Sequence, residues 1–329
     1  MSSASELLAQ ARSGDTRSIA RLLTIVENDE ADAAEVMREL YPLTGTAQVI
    51  GITGPPGGGK STLVSRLAGA YRERGDRVAV VAIDPSSPFT GGAILGDRIR
   101  MRERFLDEGI FIRSMASRGH SGGVARATMR VVHVLDALGV ATVLVETVGV
   151  GQEEVDVVRV ADTVCLVTVP GLGDDIQAIK AGVLEIADVL VVNKADRPGA
   201  DDAARDLAMM QSLGTPGGSG RQRGLAREGP QWRPPIVRTS ASENTGIDQL
   251  MSAIGTHGEW ARDSGEQERR RRDAARCEVE TLLREALVRQ VTDRIGGAAL
   301  DDVVARVAAR ELDPYAAIDA LLAGAATSR

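Results

Sequence analysis

An α/β fold, with a mostly parallel sheet covered by helices on both faces, is predicted by three observations. Valine-rich apolar runs alternate with helical patterns from Gln48 to about Gly255, the runs are continuously apolar, and the polar motifs fall just after them. Continuous apolar runs fit strands buried on both faces, which helical crossovers between parallel strands provide. Ligands of such sheets sit beyond the carboxyl ends of the strands, where these motifs fall.

The elements follow in order. Ser5 to Leu40 forms a helical preface, with apolar residues at Leu7, Leu8, Ile19, Leu22, Leu23, Val26 and Val36 and an interruption at Ser13-Gly14-Asp15. Val49 to Thr53 is the first strand, and Ser61 to Arg74 continues as a helix with Leu63, Leu67 and Ala70 on one face. Further strands are expected at Arg77 to Ile83, Ile110 to Met115, Ala141 to Val145, Thr163 to Val169, Asp188 to Val192 and Pro235 to Arg238. Leu213 to Arg233 breaks the rhythm with six glycines, prolines and scattered arginines, and reads as a flexible surface excursion. From Glu266 onward the chain is helical, with Val279, Leu282, Leu283, Ala286, Leu287, Val291 and Ile295 in one apolar stripe. The stripe fits packing on the chain's own sheet domain and fits a dimerisation arm equally, because a stripe does not name its partner.

Lysine marks the chemistry. Only three occur among 39 basic residues, Lys60, Lys180 and Lys194, and a chain that otherwise uses arginine keeps lysine where a compact charge on a thin stem is needed. Gly54-Pro55-Pro56-Gly57-Gly58-Gly59-Lys60-Ser61-Thr62 satisfies G-x-x-x-x-G-K-S/T, the P-loop pattern. Its glycines let backbone N–H groups turn inward around a phosphate, Lys60 reaches the β/γ-oxygens, and the Ser61 hydroxyl ligates magnesium. Asn193-Lys194-Ala195-Asp196 follows Val189 to Val192. Asp196 at that position accepts from the N1–H and exocyclic amine of guanine, a donor pair that adenine lacks, while Lys194 lies along the base and Asn193 ties the loop together. Thr239-Ser240-Ala241 resembles the loop whose backbone N–H meets guanine O6 in G proteins.

Three acidic residues complete the candidate site. Val143 to Gly149 ends a strand in E-x-x-G where Ras-like proteins carry D-x-x-G, so Glu146 holds magnesium directly or through water and Gly149 lets the backbone approach the γ-phosphate. Val150 follows, where Ras has its water-orienting glutamine, which predicts slow intrinsic hydrolysis; Gln152 lies slightly farther on. Asp84 ends a strand on the same crest and serves as a magnesium ligand or orients the attacking water. Asp97 follows a glycine-rich span, Gly91 to Gly96, suited to closing over the γ-phosphate. Each aspartate also fits a helix N-cap.

Composition narrows the class. At 329 residues with 43% hydrophobic content, about two domains with a large core are expected. A formal charge of −7 gives no general electrostatic reason to bind nucleic acid or anionic lipid, and the basic run Arg269 to Arg272 is flanked by Glu266, Glu268 and Asp273, which reads as a solvated helix face. Cys165 and Cys277 form neither metal spacing nor a disulfide framework, which fits a reducing cytoplasm. No apolar run approaches membrane-spanning length, and neither export nor insertion is expected.

Three blocks together resemble one family: Asp84 to Arg98, Met115 to His120, and Glu146 to Gln152. They closely resemble the MeaB/ArgK family, the methylmalonyl-CoA mutase-associated GTPases related to the human MMAA protein, over roughly Ser5 to Ile295. The resemblance implies a SIMIBI-class P-loop G domain at 47–263, an N-terminal helical extension at 1–46 and a C-terminal helical dimerisation arm at 264–329. It implies a magnesium-dependent GTPase that cycles between GTP and GDP, works as a homodimer and gates adenosylcobalamin transfer from an adenosyltransferase to the mutase. The family's third switch corresponds to Pro170 to Lys180, where Lys180 would carry charge to the phosphates; Lys180 also fits a helix C-terminal cap near Gly182. Residues 213–233 match no family motif, and His120 fits a loop-holding role as well as a substrate contact. Two other classes fit these residues less well. A nickel-delivery GTPase would carry ligand clusters that three scattered histidines and two cysteines do not supply, and an ATP-using kinase of amino-acid transport components conflicts with Asn193 to Asp196.

Overall fold

The computed structural model describes residues 4–85, 107, 109–117, 123–147, 160–171, 184–213 and 231–327. Asp97, His120, Gly149, Val150, Gln152, Lys180 and most of the glycine-rich excursion lie outside them. The described chain divides into two compact units, Met1–Arg270 and Arg271–Arg329.

In the first unit seven strands form one sheet: β1 (Gln48–Thr53), β2 (Val78–Pro85), β3 (Ile110–Ser117), β4 (Thr142–Thr147), β5 (Thr163–Thr168), β6 (Val189–Val192) and β7 (Ile236–Arg238). The order is β3-β2-β4-β1-β5-β6-β7, and every neighbouring pair is parallel. Each strand predicted from an apolar run is present, with ends moved by a residue or two. β4 and β5 are buried along their whole lengths, which is why their sequences show no alternation. The chain leaves β1 toward β2, β3 and β4 on one side and reaches β5, β6 and β7 on the other. The crevice beyond the carboxyl end of β1 is therefore a topological switch point.

Helices cover both faces. α4 (Lys60–Glu73) and α7 (Ile247–Asp263) pack Leu63, Leu67, Leu250 and Ile254 against Ile50, Ile52, Leu144 and Val191. The opposite face carries α1 (Ala4–Arg12), α2 (Thr16–Glu27), α3 (Ala33–Leu40) and α5 (Gly123–Ala137), with α6 (Ala200–Leu213) over Leu166, Leu190 and Val192. Burying each Leu, Ile or Val of these layers contributes about 1.5–3 kcal/mol. The predicted break at Ser13 to Asp15 is where α2 begins, with Asp15 Oδ2 accepting from Ser18 N at 2.8 Å as an N-cap. A second break, which the apolar spacing does not signal, separates α2 from α3. There Asp29 is left-handed at φ 53° and its carboxylate accepts from Arg126 and Arg130 of α5.

The amino edge of the sheet holds a buried charged cluster. Asp188, just before β6, accepts Val164 N at 2.9 Å and both terminal nitrogens of Arg270, at 2.9 and 2.8 Å. Arg270 Nε donates to Glu266 Oε1 at 2.9 Å, and Trp232 Nε1 donates to Asp188 O at 2.8 Å. His257 is fully buried, with Nδ1 2.8 Å from Thr163 Oγ1 and Nε2 3.3 Å from Asp188 Oδ1. Burial alone would push the Asp188 carboxyl up, but the nearby His257 ring and the hydrogen bonds and charge of the Arg270 guanidinium hold it well below the usual range. Two expectations change here. Arg270 belongs to a run read as a solvated face, yet it is an internal ion-pair partner; Trp232, assigned to the surface excursion, is half-buried against His257 and Trp260.

α8 (Glu266–Ile295) runs through the unit boundary. The second unit contains its remainder with α9 (Gly297–Ala308) and α10 (Pro314–Thr327), so the helical tail is three helices. Val279, Leu283, Leu287 and Val288 are each more than half exposed.

Candidate nucleotide-binding site

β1 delivers the chain into the P-loop, and α4 begins at Lys60. Two glycines are demanded by close approach. Gly54 has φ 138° and a Cβ there would meet Val167 O at 2.1 Å, while Gly59 has φ 80° and its Cβ would meet Asn193 Nδ2 at 2.6 Å. The loop is thus pressed against β5 and the Asn193 loop, leaving backbone on its inner curve. Pro55, Pro56 and Gly57 form its outer arc, Gly58 is buried, and Thr62 is exposed in the first turn of α4. Lys60 is only 6% exposed, and its Nζ donates to Gly54 O at 2.7 Å and Pro55 O at 3.0 Å. The ammonium is therefore held inside the loop that a phosphate would share.

Register brings the acidic candidate to the same place. Glu146 pairs with Ile52 of β1 and Ala82 of β2, and Ser61 Oγ donates to Glu146 Oε1 at 2.6 Å with both residues buried. A hydroxyl and a carboxylate converging beside the phosphate loop are hard oxygen donors of the kind magnesium takes. Among the described residues no group of three His, Cys, Asp or Glu can hold a metal ion, so phosphate oxygens and water would complete this set. Asp84 is placed by its backbone two residues beyond Ala82 on β2, in register with Ala116. Thr147 Oγ1 donates to Thr53 Oγ1 at 3.0 Å, locking β4 to β1 beneath the site.

The base-side motif is tied to the P-loop by one side chain. Asn193 is 1% exposed; Nδ2 donates to Gly58 O at 2.9 Å, and Oδ1 accepts from Thr239 Oγ1 at 3.1 Å and Ala241 N at 3.2 Å. Lys194 is left-handed at φ 57°, and its Nζ donates to Gly57 O at 2.7 Å, extending the stem along the loop. Asp196 is exposed, and Ser240 Oγ donates to its Oδ1 at 2.5 Å. That hydroxyl is the chief reason its carboxyl lies below the usual range, so Asp196 is an oriented anionic acceptor. Arg66 of α4, which carries no motif signal, donates from Nε to Ala241 O at 2.9 Å. The described members of the two motifs and Glu146 thus meet around one crevice at the switch point.

Comparison with known proteins agrees with this geometry. Residues 19–295 match the family model described as methylmalonyl Co-A mutase-associated GTPase MeaB. The chain belongs to the MeaB family. A relative in Pyrococcus abyssi is 49% identical over 96% of this chain and 95% of its own length. The mitochondrial methylmalonic aciduria type A homolog of Caenorhabditis elegans is 32% identical over 82% of this chain and 69% of its own. Among solved structures, one titled LAO/AO transport system kinase matches with a TM-score of 0.67 and 27% identity, covering 97% of this chain and 96% of the other. The chain is thus a MeaB-family GTPase with a P-loop GTPase fold, which implies guanine-nucleotide binding.

Proposed function

We propose that this protein is a magnesium-dependent GTPase that serves as a chaperone for an adenosylcobalamin-dependent methylmalonyl-CoA mutase, gating cofactor loading and protection by binding and hydrolysing GTP. The observation that carries the reading is the convergence of P-loop, Glu146 and the Asn193 to Asp196 motif on one crevice, in a chain whose family is described as mutase-associated.

Each residue has a stated task. The backbone N–H groups from Gly57 to Ser61 face the β-phosphate, Lys60 exchanges its loop carbonyls for phosphate oxygens, and Asp196 accepts from guanine N1–H and the 2-amino group. Ser61 and Glu146 would hold magnesium, with Asp84 and Asp97 as further ligands or water-orienting groups. When bound, the ion neutralises charge developing on the β/γ-oxygens. Gly149 supports approach to the γ-phosphate, and Val150 in place of a water-orienting glutamine makes intrinsic turnover slow. Lys180 supplies the missing positive charge when the mutase engages its switch, in the manner of an arginine finger. The exposed stripe of α8 supports a homodimer through the arm 264–329, with 1–46 as a helical extension of the G domain 47–263. An adenosyltransferase is the proposed cofactor donor, and a reducing cytoplasm suits the two free cysteines.

A kinase reading is favoured by one observation, the transport-system kinase title of a structure with the same fold. Asp196 argues against ATP, because adenine presents no donor pair to its carboxylate. Incubating the protein with GTP or ATP, with and without mutase, tests both readings: mutase-stimulated phosphate release from GTP supports the chaperone, and ATP-dependent phosphorylation of a transport component supports the kinase.

A further inference from the structure

We propose that Arg66 is a positioning residue for base selectivity, clamping the loop whose backbone reads the 6-position of the purine. The inference rests on the guanine reading above.

Arg66 lies on α4, whose first residues are Lys60 and Ser61, and reaches a loop about 175 residues away in sequence. Its Nε donates to Ala241 O at 2.9 Å and Nη2 approaches Ser242 O at 3.4 Å. A planar guanidinium spanning two successive carbonyls fixes both peptide planes following the Ala241 N–H. That N–H donates to Asn193 Oδ1 at 3.2 Å, the long end of the normal range, and is the group positioned to exchange this contact for a base oxygen. Guanine offers an oxygen at C6, whereas adenine offers an amino group there, so a fixed N–H meets a donor with a donor. A loop free to turn would relieve that conflict.

The 2-amino contact is held separately. Asp196 is oriented by Ser240 Oγ, whereas the peptide plane of the Ala241 N–H is held on its near side by Thr245 N donating to Ser240 O at 3.0 Å and on its far side by Arg66 at Ala241 O. Arg66 contacts neither Asp196 nor Ser240 through a hydrogen bond seen among the described groups. Loosening the clamp should therefore weaken discrimination at C6 while leaving discrimination at C2 intact. Losing a charged hydrogen bond that acts only on C6 corresponds to about a tenfold change.

The experiment is competitive equilibrium binding of GTP, ITP and ATP to the full chain and its Arg66→Met variant, with kcat and KM measured for GTP. The GTP-over-ATP preference should fall about tenfold, the GTP-over-ITP preference should stay constant, and KM should rise with kcat unchanged. An undiminished GTP-over-ATP preference overturns the clamp, as does a parallel fall in both preferences, which marks general loosening. If Arg66→Met fails to fold, Arg66→Gln carries the same readouts. A wild-type protein that binds ATP as well as GTP removes the guanine reading and the clamp with it; a GTP-selective wild type whose variant keeps its full selectivity removes the clamp alone.

Discussion

Asp196 is the residue on which nucleotide choice turns, since its exposed carboxylate is aimed by Ser240 and anionic throughout the physiological range. Asp196→Asn replaces an acceptor with a group that can donate, so GTP affinity should fall about 100-fold or more while xanthosine triphosphate gains, as measured by competition binding. Unchanged preference would remove the base contact. Lys60 has the other decisive role, because a single compact cation is held within the loop curve. Lys60→Ala should lower GTP turnover at least about 100-fold in a phosphate-release assay with the melting temperature little changed; wild-type turnover would sink the P-loop assignment. At this scale the motif residues were legible because phosphate and guanine recognition demand fixed chemistry at fixed spacing. Arg66 was not, because a helix-surface arginine becomes informative only when folding brings Ala241 beside it.

At the scale of elements, burial explains what could be read. Strands enclosed on both faces must be continuously apolar, so β1, β2, β4, β5 and β6 stand out, whereas the turn at Asn28 to Asp32 has no glycine or proline to announce a left-handed residue. Arg270 was misread for a related reason. A charge run looks solvated in sequence, and only the placement of Asp188 before β6 and Glu266 one helical turn back makes one of four arginines internal. This cluster fastens the first turn of α8 to the amino edge of β6, whose other end leads into the base motif. Asp188→Asn leaves Arg270 with Glu266 as its remaining buried carboxylate and should cost about 3 kcal/mol of stability in denaturant unfolding at pH 7. The pH dependence follows from the depressed folded-state pKa. The unfolded carboxyl titrates near about 3.9, so the stabilisation is fully present above that pH and is lost as pH falls below it toward the folded value. The gap between wild type and Asp188→Asn should therefore hold from pH 7 to about 4 and shrink in more acid solution; a gap that widens there would contradict the anchor.

For the whole molecule, a parallel-sheet unit bears the nucleotide site and a helical unit presents apolar side chains to solvent. Val279, Leu283 and Leu287 of the stripe are each more than half exposed, and in the proposed homodimer they would bury apolar surface against the same stripe of a second copy. Leu283→Glu with Leu287→Glu should convert the proposed dimer into a monomer in light scattering while leaving basal GTP turnover intact; a wild-type monomer would contradict the arm. The central claim joins the site to a client, and it is tested most directly by phosphate release from GTP with the purified chain alone and with an adenosylcobalamin-dependent methylmalonyl-CoA mutase added. The account predicts slow turnover alone and turnover at least about tenfold faster with the mutase, as expected when a partner completes the charge around the γ-phosphate. A GTP turnover rate that the mutase leaves unchanged would contradict it.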